Sequence, residues 1–506
     1  MTAIDSDTAP AASDTAVGGP VADSVARRNP QWLSRWRLVE FLTDKSRTIQ
    51  ALRSASPNFR ILMTGSSISM LGSRISTIAF PMLVLHINNS PSIAGLVTCA
   101  AILPSMVAYL PAGVLVDRWN PWRVMLISEV LRGISIATVL VLLAIFNSEV
   151  NIFLLVVFMI AEEIMEIFWL LADRRYMSQL MESDKIASRQ ASIEVRAHAA
   201  VLAGRPIGPF LFTITPYLPF GADALSFVIS VWTLLVLDRL PNHTRNRSLN
   251  SAEPEKSPGS FASQLRTEIG EGFSWLTRNR RAGGTQLLMA FTTLTAQALI
   301  MMFLAEAHDK RLSTIAIGAV LAASGAGGAI GSVVAGRLPA WIGKFWLKIQ
   351  LCAWTLALGM LALTGVQFSW CIAVVMLVLG LTGSIGNIEF GTFLVKTLRD
   401  NDEERLLGRI LSVGQVLVIG ACGLGPFLGG GAIQKFGIQV AIGIFFFVVL
   451  IATASSFILP LISDLLANRR DRESVVAVAS AGRVAIPDIE SGTPGHALPA
   501  GQAFPA

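Results

Sequence analysis

The stretch AGVLVDRWNPWRVM, residues 112–125, places Asp117 and Arg118 side by side at the junction of two long apolar runs. A short charged turn between such runs is typical of a loop that joins two membrane-spanning helices. The composition of the whole chain agrees with this interpretation. Of its 506 residues, 53% are hydrophobic and only 15% are charged, and the mean hydropathy is +0.59. A soluble chain of this length carries more charge on its surface.

The apolar runs are long enough to cross a bilayer, because a spanning helix needs about 20 predominantly apolar residues. Twelve such runs occur in the sequence. They predict an all-α polytopic membrane protein with twelve transmembrane helices. The predicted spans are residues 61–87, 92–116, 124–147, 150–172, 190–215, 217–238, 284–307, 313–335, 345–366, 369–393, 409–432 and 437–463.

The basic residues predict the orientation of these helices, because Lys and Arg are retained on the cytoplasmic side. Of the 40 Lys and Arg residues, 33 fall in the two tails and in the loops after even-numbered spans. The opposite loops hold three, and four lie within spans. This asymmetry predicts a multi-pass protein of the cell membrane with both termini in the cytoplasm. It assigns the excess positive charge to contact with membrane lipid, and no nucleic-acid partner is predicted.

Two internal repeats predict that the chain is built from two halves. Residues 208–211, Gly-Pro-Phe-Leu, recur 217 positions later at 425–428, and Arg118 has a counterpart 219 positions later in Arg337. The similar offsets predict two pseudo-symmetric six-helix bundles with a substrate site between them. The predicted parts are a partly disordered cytoplasmic tail at 1–57, a bundle at 58–238, a cytoplasmic linker at 239–283, a bundle at 284–464 and a disordered cytoplasmic tail at 465–506.

With these features the chain resembles the Major Facilitator Superfamily. The superfamily's signature between spans two and three is a glycine, an Asp-Arg pair and a basic turn, which correspond here to Gly113, Asp117, Arg118 and Arg123. The resemblance implies a gate. Gly113 would let a neighbouring helix approach closely, and Asp117 would pair with a base or cap a helix of the opposite bundle. The arginines would hold the turn at the lipid head groups. A solvated loop pair is the alternative for the Asp-Arg dipeptide.

The fifth span resembles the Gly-Pro motif of the superfamily's antiporters, through Gly204, Gly208 and Pro209, and the repeat supplies Gly425 and Pro426. This resemblance implies an exporter, and a packing kink without transport role is the alternative. Four further segments are similar to the exporter branch that includes macrolide-efflux and enterobactin-export proteins. They are Leu103-Pro104, Glu129-x-x-Arg132, residues 220–227 and residues 271–279.

The fourth span carries three acids, Glu162, Glu163 and Glu166. A charge at this depth costs about 2.5–3.5 kcal/mol on insertion scales, so each acid is a functional candidate. Glu162 and Glu166 are four residues apart and share a helix face. Two such carboxylates do not ionise together cheaply, so this pair is predicted to carry protons. Glu163 is predicted to point elsewhere. The alternative is a structural ion pair with Arg132 of span three or Arg196 of span five.

Other charged residues within spans have separate predictions. Arg74 and Arg205 lie near mid-depth and would either attract an anionic group or neutralise the span-four acids. Glu129 and Arg132 are three residues apart, which predicts a pair on one helix face. Three acids near the membrane surfaces are predicted to be gate or capping residues, namely Asp223, Glu306 and Glu389.

The sequence predicts a transporter and not an enzyme. It contains no G-x-x-x-x-G-K-[S/T] segment, which argues against an ATP-driven pump. The five histidines are scattered and the four cysteines lie in predicted spans, so no cofactor, metal site or disulfide is predicted. We predict a monomeric proton antiporter that exports a small organic molecule, such as an antibiotic or siderophore, by alternating access. A lysophospholipid or lipid-precursor flippase and a transport-inactive membrane scaffold or sensor remain alternatives.

Overall fold

The structure is a computed structural model that describes residues 57–146, 151–180, 186–238, 261–335, 345–365, 369–401, 403 and 406–481. This part of the chain is helical, with short turns between helices. The chain divides into a small unit, Met1–Arg60, whose described residues begin a helix, and a large unit, Ile61–Ala506, that contains the bundle. The N-terminal tail before residue 57 lies outside the described residues.

The helices fall where the apolar runs predict them. All twelve predicted runs coincide with helices, and the last two runs share one helix that is interrupted at Gly437, whose φ is 77° and ψ 167°. The helices are α1 (Pro57–Asn88), α2 (Pro91–Arg118), α3 (Pro121–Phe146), α4 (Ile152–Leu180), α5 (Ile186–Ile214), α6 (Leu218–Asp238), α7 (Phe261–Arg278), α8 (Arg280–Asp309), α9 (Thr314–Ala335), α10 (Phe345–Gly365), α11 (Ser369–Asp400) and α12 (Leu407–Ala481).

The helix ends have local causes in the sequence. The Ser90 hydroxyl caps α2 by accepting from the Ile93 amide at 3.4 Å, and Pro91 occupies the first helical position, where a missing N–H is harmless. Asn279 caps α8 in the same way, with the Ala282 amide at 3.1 Å. At the break in α12 the positive φ of Gly437 is a conformation that a residue with a Cβ adopts at a cost.

Eight of the described helices have the length and hydropathy to cross a membrane, and α10 adds a shorter apolar stretch, Leu347–Leu363. The eight include the part of α12 up to Ser456, which holds two of the predicted runs. Of the helices that hold predicted spans, α4 and α5 fall short, and both carry several charged residues. The protein is therefore an all-helical polytopic membrane protein, and the number of twelve crossings stays a prediction.

The helices pack as two groups that meet along two seams. Helix α2 packs against α12, and α5 packs against α9. The first seam is close: a Cβ on Gly95 would collide with the Pro426 backbone, and one on Gly430 would collide with the Pro91 backbone. Side chains close the same end, which we call the Asn89 end, because Gln434 accepts from the Ser92 amide at 2.9 Å and His308 contacts Asn89 at 2.9 Å. The opposite end, at the α2–α3 turn, is called the Trp119 end.

The repeated Gly-Pro segments make matching contacts in the two halves. In α5, a Cβ on Gly208 would lie 2.8 Å from the Ile75 carbonyl oxygen of α1. In α12, a Cβ on Gly425 would lie 2.5 Å from the Leu294 carbonyl oxygen of α8. Ile75 and Leu294 are themselves 219 positions apart, so the pseudo-symmetry extends from the sequence to the packing.

Two segments are more helical than their composition predicts. The second part of the predicted linker forms the amphipathic helix α7, which packs on α12, where Glu271 pairs with Arg409. The Trp275 indole N–H donates to Glu403 at 2.9 Å. At the other end of the chain, α12 continues to Ala481 through a stretch predicted to be disordered, because that stretch lacks Gly and Pro and is rich in helix-forming residues. Residues 482–506 lie outside the described part.

The close helix contacts at the two Gly-Pro segments predict unequal effects of added methyl groups. We expect Gly208→Ala and Gly425→Ala each to destabilise the protein by about 1–3 kcal/mol, because the Cβ meets a backbone oxygen that cannot move independently. Gly443→Ala, a helical glycine with nothing within 4 Å, is the matched control and should unfold at the same or a higher temperature. Thermal unfolding in detergent measures this, and equal stabilities of all three variants would refute the packing argument.

Candidate functional site

The centre of the N-terminal half is a buried guanidinium, that of Arg132 on α3. Its Nε and Nη2 donate to Glu162 Oε1 of α4 at 3.0 and 2.7 Å, and Nη2 also donates to the Ser73 hydroxyl of α1 at 2.8 Å. The side chains of Arg132 and Glu162 are 1% and 4% exposed. The Phe227 ring lies 4.7 Å from the guanidinium carbon. A charge this deep is tolerable only because it is paired and hydrogen-bonded.

The ion pairs extend from this centre toward the space between the halves. Glu166 lies 3.5 Å from Arg132 through Oε2 and accepts from Arg74 Nη2 of α1 through Oε1 at 2.9 Å. The exposed fraction of the side chain rises from one member of this series to the next, to 18% for Glu166 and 29% for Arg74. The order is Glu162, Arg132, Glu166, Arg74, and we call it the charge chain.

The contacts in the charge chain bear on the two interpretations of the acids in the fourth span, a proton-carrying pair or a structural ion pair. Glu162 and Glu166 do share a helix face, since both reach Arg132. The geometry of Glu162 is that of a structural pair with Arg132. The other suggested partner, Arg196, bonds instead to Asp173 of α4 and, at 2.6 Å, to the Ser66 hydroxyl. Arg74 takes one of its two predicted roles, because it neutralises Glu166.

The sequence interpretation predicted that Glu163 points away from Glu162 and Glu166. The structure instead places the three side chains together. Carboxylate oxygens of Glu162, Glu163 and Glu166 lie within 4.8 Å of one another. Among the described residues Glu163 has no hydrogen bond or ion pair. The three carboxylates are close enough to share a cation, but arginines already hold two of them.

One further prediction for a buried acid was wrong. Glu129 does not pair with Arg132; it accepts from Ser69 at 3.1 Å and from Ser230 at 2.9 Å, because Arg132 is drawn to the acids of α4. For Asp223, the role of a gate or capping residue near the outer membrane surface stays a prediction. Asp223 is fully buried more than one turn inside α6 and accepts from Ser76 at 2.5 Å. Helix α6 begins at the Asn89 end but packs its first turns against α1.

The sequence interpretation missed a row of serines on α1. The serines follow helical spacing and are all buried, and each donates to or accepts from one charged residue of another helix. Such a spacing of small polar residues in an apolar run was the available signal, because it places hydroxyls along a single face. The serine row and its partners are Ser66 with Arg196, Ser69 with Glu129, Ser73 with Arg132, and Ser76 with Asp223.

Arg205 of α5 lies apart from the charge chain. Its Nη1 donates to the Ser324 hydroxyl of α9 at 2.7 Å, which links the two halves. With Arg74 it lines a cavity between the halves whose other walls include Thr77, Thr98 and Gln297. The cavity and the exposed end of the charge chain therefore belong to one region.

The remaining predicted site residues have other surroundings. Gly113 shows no close helix approach, since an added Cβ would meet nothing within 4 Å. The Asp117 side chain lies outside the described part, and Arg118 and Arg123 are exposed at the Trp119 end. Glu306 pairs with Lys310 at 2.5 Å near the Asn89 end, and Glu389 pairs with Lys348 at 2.7 Å inside the C-terminal half. In the Gly-Pro segment, Gly204 allows α5 to approach Arg74 and Leu71 of α1.

Comparison with known proteins adds the family. A profile of the Major Facilitator Superfamily matches residues 62–421, which is most of the chain. The chain belongs to this superfamily of transporters. Its fold is similar to that of the nucleoside transporter NupG, with a TM-score of 0.59, 13% identity, and 79% of this chain and 98% of NupG covered. It is also similar to a D-xylose–proton symporter, with a TM-score of 0.59, 13% identity, and 78% and 96% covered.

Similarity to characterised exporters is local. The chain is 44% identical over 87 residues to the multidrug efflux pump Tap of Mycolicibacterium fortuitum, which is 17% of this chain and 21% of that pump. It is 36% identical over 83 residues to Tap of Mycobacterium tuberculosis strain H37Rv, which is 16% of this chain and 20% of that pump. The match therefore spans about a fifth of each relative's length.

The buried pair at the head of the charge chain predicts a large stability effect. We expect Glu162→Gln to destabilise the protein by about 3–5 kcal/mol, because Glu166, 3.5 Å away, is then the remaining carboxylate beside the buried Arg132 charge. Adding Arg132→Met should restore most of the loss, since no unpaired charge remains at that position. Unfolding temperatures in detergent measure both effects.

The matched control is Glu306→Gln, which breaks a pair whose lysine side chain is 52% exposed and should cost less than about 1 kcal/mol. Equal stability of the Glu162→Gln and Glu306→Gln variants would contradict a structural role for the buried pair.

Proposed function

We propose that this superfamily member is a proton-coupled exporter of small organic molecules. It would act in the cell membrane by alternating access, as a monomer without a cofactor and with both termini in the cytoplasm. The observation that carries the proposal is the charge chain, which leads from a closed core to the cavity between the halves. Ionisable groups in a membrane interior are costly, and a transport-inactive scaffold has no use for them. The local similarity to Tap supports efflux as the direction.

The proton carrier in this proposal is Glu163 rather than the predicted pair Glu162 and Glu166. An arginine stabilises the ionised form of each of those two acids, whereas Glu163 has no basic partner among the described residues. A carboxylate away from water and without a partner gains most from binding a proton. The carboxylates of Glu162 and Glu166 lie within 4.8 Å of that of Glu163, and the arginines that pair with those two acids are Arg132 and Arg74.

Glu166 and Arg74 would transmit the charge state of Glu163 to the packing of the halves. Arg74 lies on the face of α1 that Gly204 of α5 approaches, and α5 forms one of the two seams between halves. The other seam closes the Asn89 end in this structure. Alternating access requires that end to open while the Trp119 end closes, and the Asp117 motif lies where the second closure would occur.

The coupling test uses inverted membrane vesicles with an imposed pH gradient. Ethidium and N-phenyl-1-naphthylamine serve as a cationic and a neutral probe, and nigericin removes the gradient. Wild-type protein should accumulate at least one probe only with the gradient. Glu163→Gln should abolish the gradient's effect while the unfolding temperature stays unchanged, because the side chain has no partner to lose.

Glu306→Gln is the matched acid control and should transport like wild type. Gradient-driven transport that survives in Glu163→Gln would refute Glu163 as the carrier. If neither probe moves but a fluorescent lysophospholipid crosses the vesicle membrane, the flippase alternative replaces the exporter. If nothing crosses, the scaffold alternative gains support.

A further inference from the structure

A cavity of about 130 Å³ lies inside the C-terminal half, between α8, α10 and α11. These helices hold the seventh, ninth and tenth predicted spans, so in the repeat they correspond to α1, α3 and α4. In the N-terminal half, the charge chain joins those three helices. Among the residues that the structure describes, no charged side chain lines the C-terminal cavity, and Lys348 and Glu389, close to it in sequence, pair with each other at 2.7 Å. The C-terminal half therefore has a neutral cavity where the other half has ion pairs.

Small side chains on all three helices leave this space open. They are Ala296 on α8, Ala353 on α10, and Gly383 and Gly386 on α11. A Cβ on Gly383 would meet nothing within 4 Å, and one on Gly386 would lie 3.8 Å from Ile349 Cδ1. The volume of the cavity is close to the roughly 150 Å³ of an engineered apolar cavity that binds benzene. The space therefore suits a single six-membered ring.

Two hydroxyls of the cavity wall can accept hydrogen bonds from a ligand but have no proton left to donate. The Thr292 hydroxyl donates to the Met289 carbonyl oxygen of its own helix at 2.9 Å. The Thr382 hydroxyl donates in the same way to the Val378 carbonyl oxygen at 2.8 Å. Because a hydroxyl has one proton and two lone pairs, each oxygen keeps its capacity to accept.

The rest of the wall is neutral. Thr293 and Asn387 form no side-chain hydrogen bond within the described part of the chain, and each can accept or donate. Leu288, Ile349 and Leu356 supply apolar surface. The wall therefore offers more acceptors than donors on an apolar background, which is complementary to an aromatic ring that carries an O–H or N–H donor.

One face of α8 joins this cavity to the cavity between the halves. The C-terminal cavity is lined by Met289, Thr292, Thr293 and Ala296, and the cavity between the halves by Gln297, Ile300, Met301 and Leu304. These positions recur every three or four residues, so they form a single stripe along the helix. The two cavities therefore lie on the same side of α8, within reach of one molecule.

We propose that the cavity between α8, α10 and α11 is a substrate subsite for an uncharged aromatic ring that bears a hydroxyl or amine donor, as a phenol does. The inference rests on the proposed function and specifies its substrate class. The ring fills the space beside Gly383 and Gly386, and its donor binds the hydroxyl oxygen of Thr292 or Thr382. Because no charged residue lines the subsite, it confers affinity without entering the proton cycle.

Two ring-sized probes of nearly the same shape separate the ring from its donor. 4-Fluorophenol carries an O–H group, and 4-fluorotoluene carries a methyl group in its place. Binding is measured by fluorine NMR titration on purified full-length protein in nanodiscs of zwitterionic lipid, with empty nanodiscs subtracted. Wild type should bind both probes saturably, because both fit the space.

The variants should affect the two probes differently. The double variant Thr292→Val/Thr382→Val removes both acceptors at nearly constant shape. It should weaken binding of 4-fluorophenol about 5-fold, as expected for the loss of one neutral hydrogen bond, without weakening that of 4-fluorotoluene. Gly383→Leu fills the cavity and should abolish saturable binding of both probes.

Two matched controls should bind both probes like wild type. Thr355→Val changes an exposed threonine of α10 whose hydroxyl also donates to its own helix. Gly443→Leu adds the same side chain at a glycine of α12 whose Cβ would meet nothing within 4 Å. Unfolding temperatures show that each variant is folded.

The outcomes separate this inference from the proposed function. The subsite would be overturned if wild type bound neither probe saturably, if Gly383→Leu still bound both, or if the threonine double variant changed both affinities equally or neither. Gradient-driven transport of ethidium or N-phenyl-1-naphthylamine would then still support the exporter. Conversely, the expected binding pattern without gradient-driven transport of any probe would uphold the subsite and refute proton-coupled export.

Discussion

The need to pair one buried guanidinium organises the N-terminal half. Arg132 lies where water does not reach, so its charge must be met by acids from another helix and by a hydroxyl from a third. That requirement fixes the rotation of α4, which turns Glu162 and Glu166 inward. It also fixes the rotation of α1 about its axis, because the serine row faces the same centre. Two other buried acids, Glu129 and Asp223, accept hydrogen bonds from serine hydroxyls, and a third, Asp173, pairs with Arg196.

The two halves share a backbone plan but differ in chemistry. Gly208 and Gly425 place equivalent close contacts, α5 on α1 and α12 on α8. The charge chain, however, lies entirely in the N-terminal half. Across the cavity the C-terminal half contributes neutral groups such as Gln297 and Ser324, and its own partly buried pair, Lys348 and Glu389, lies elsewhere. The buried ion pairs of the charge chain therefore lie in one half, and in the proposed function the proton chemistry belongs to that half.

Much of the fold could be predicted from the sequence, because a bilayer imposes a length and a composition on each crossing. The apolar runs located the helices, and the interruption at Gly437 lies at the first residue of the last predicted run. The predictions were weaker where two signals compete. The spacing of Glu129 and Arg132 predicts a pair, but acids on another helix offered Arg132 better geometry. The polar composition of residues 261–278 suggested a simple linker, although its amphipathic pattern lets it pack on α12.

The sequence by itself determined that this is a helical membrane protein of two related halves and which ionisable residues lie within it, since hydropathy and repeats are properties of the chain alone. Only the tertiary structure decided which acids are paired. Helical periodicity gives the face of each residue on its own helix, but the partner depends on how helices distant in sequence are rotated against one another. For that reason only the structure shows that Arg74, Arg132 and Arg196 each bond to a carboxylate of α4, whereas Glu163 and Arg205 have no ion pair within 4.0 Å among the described residues.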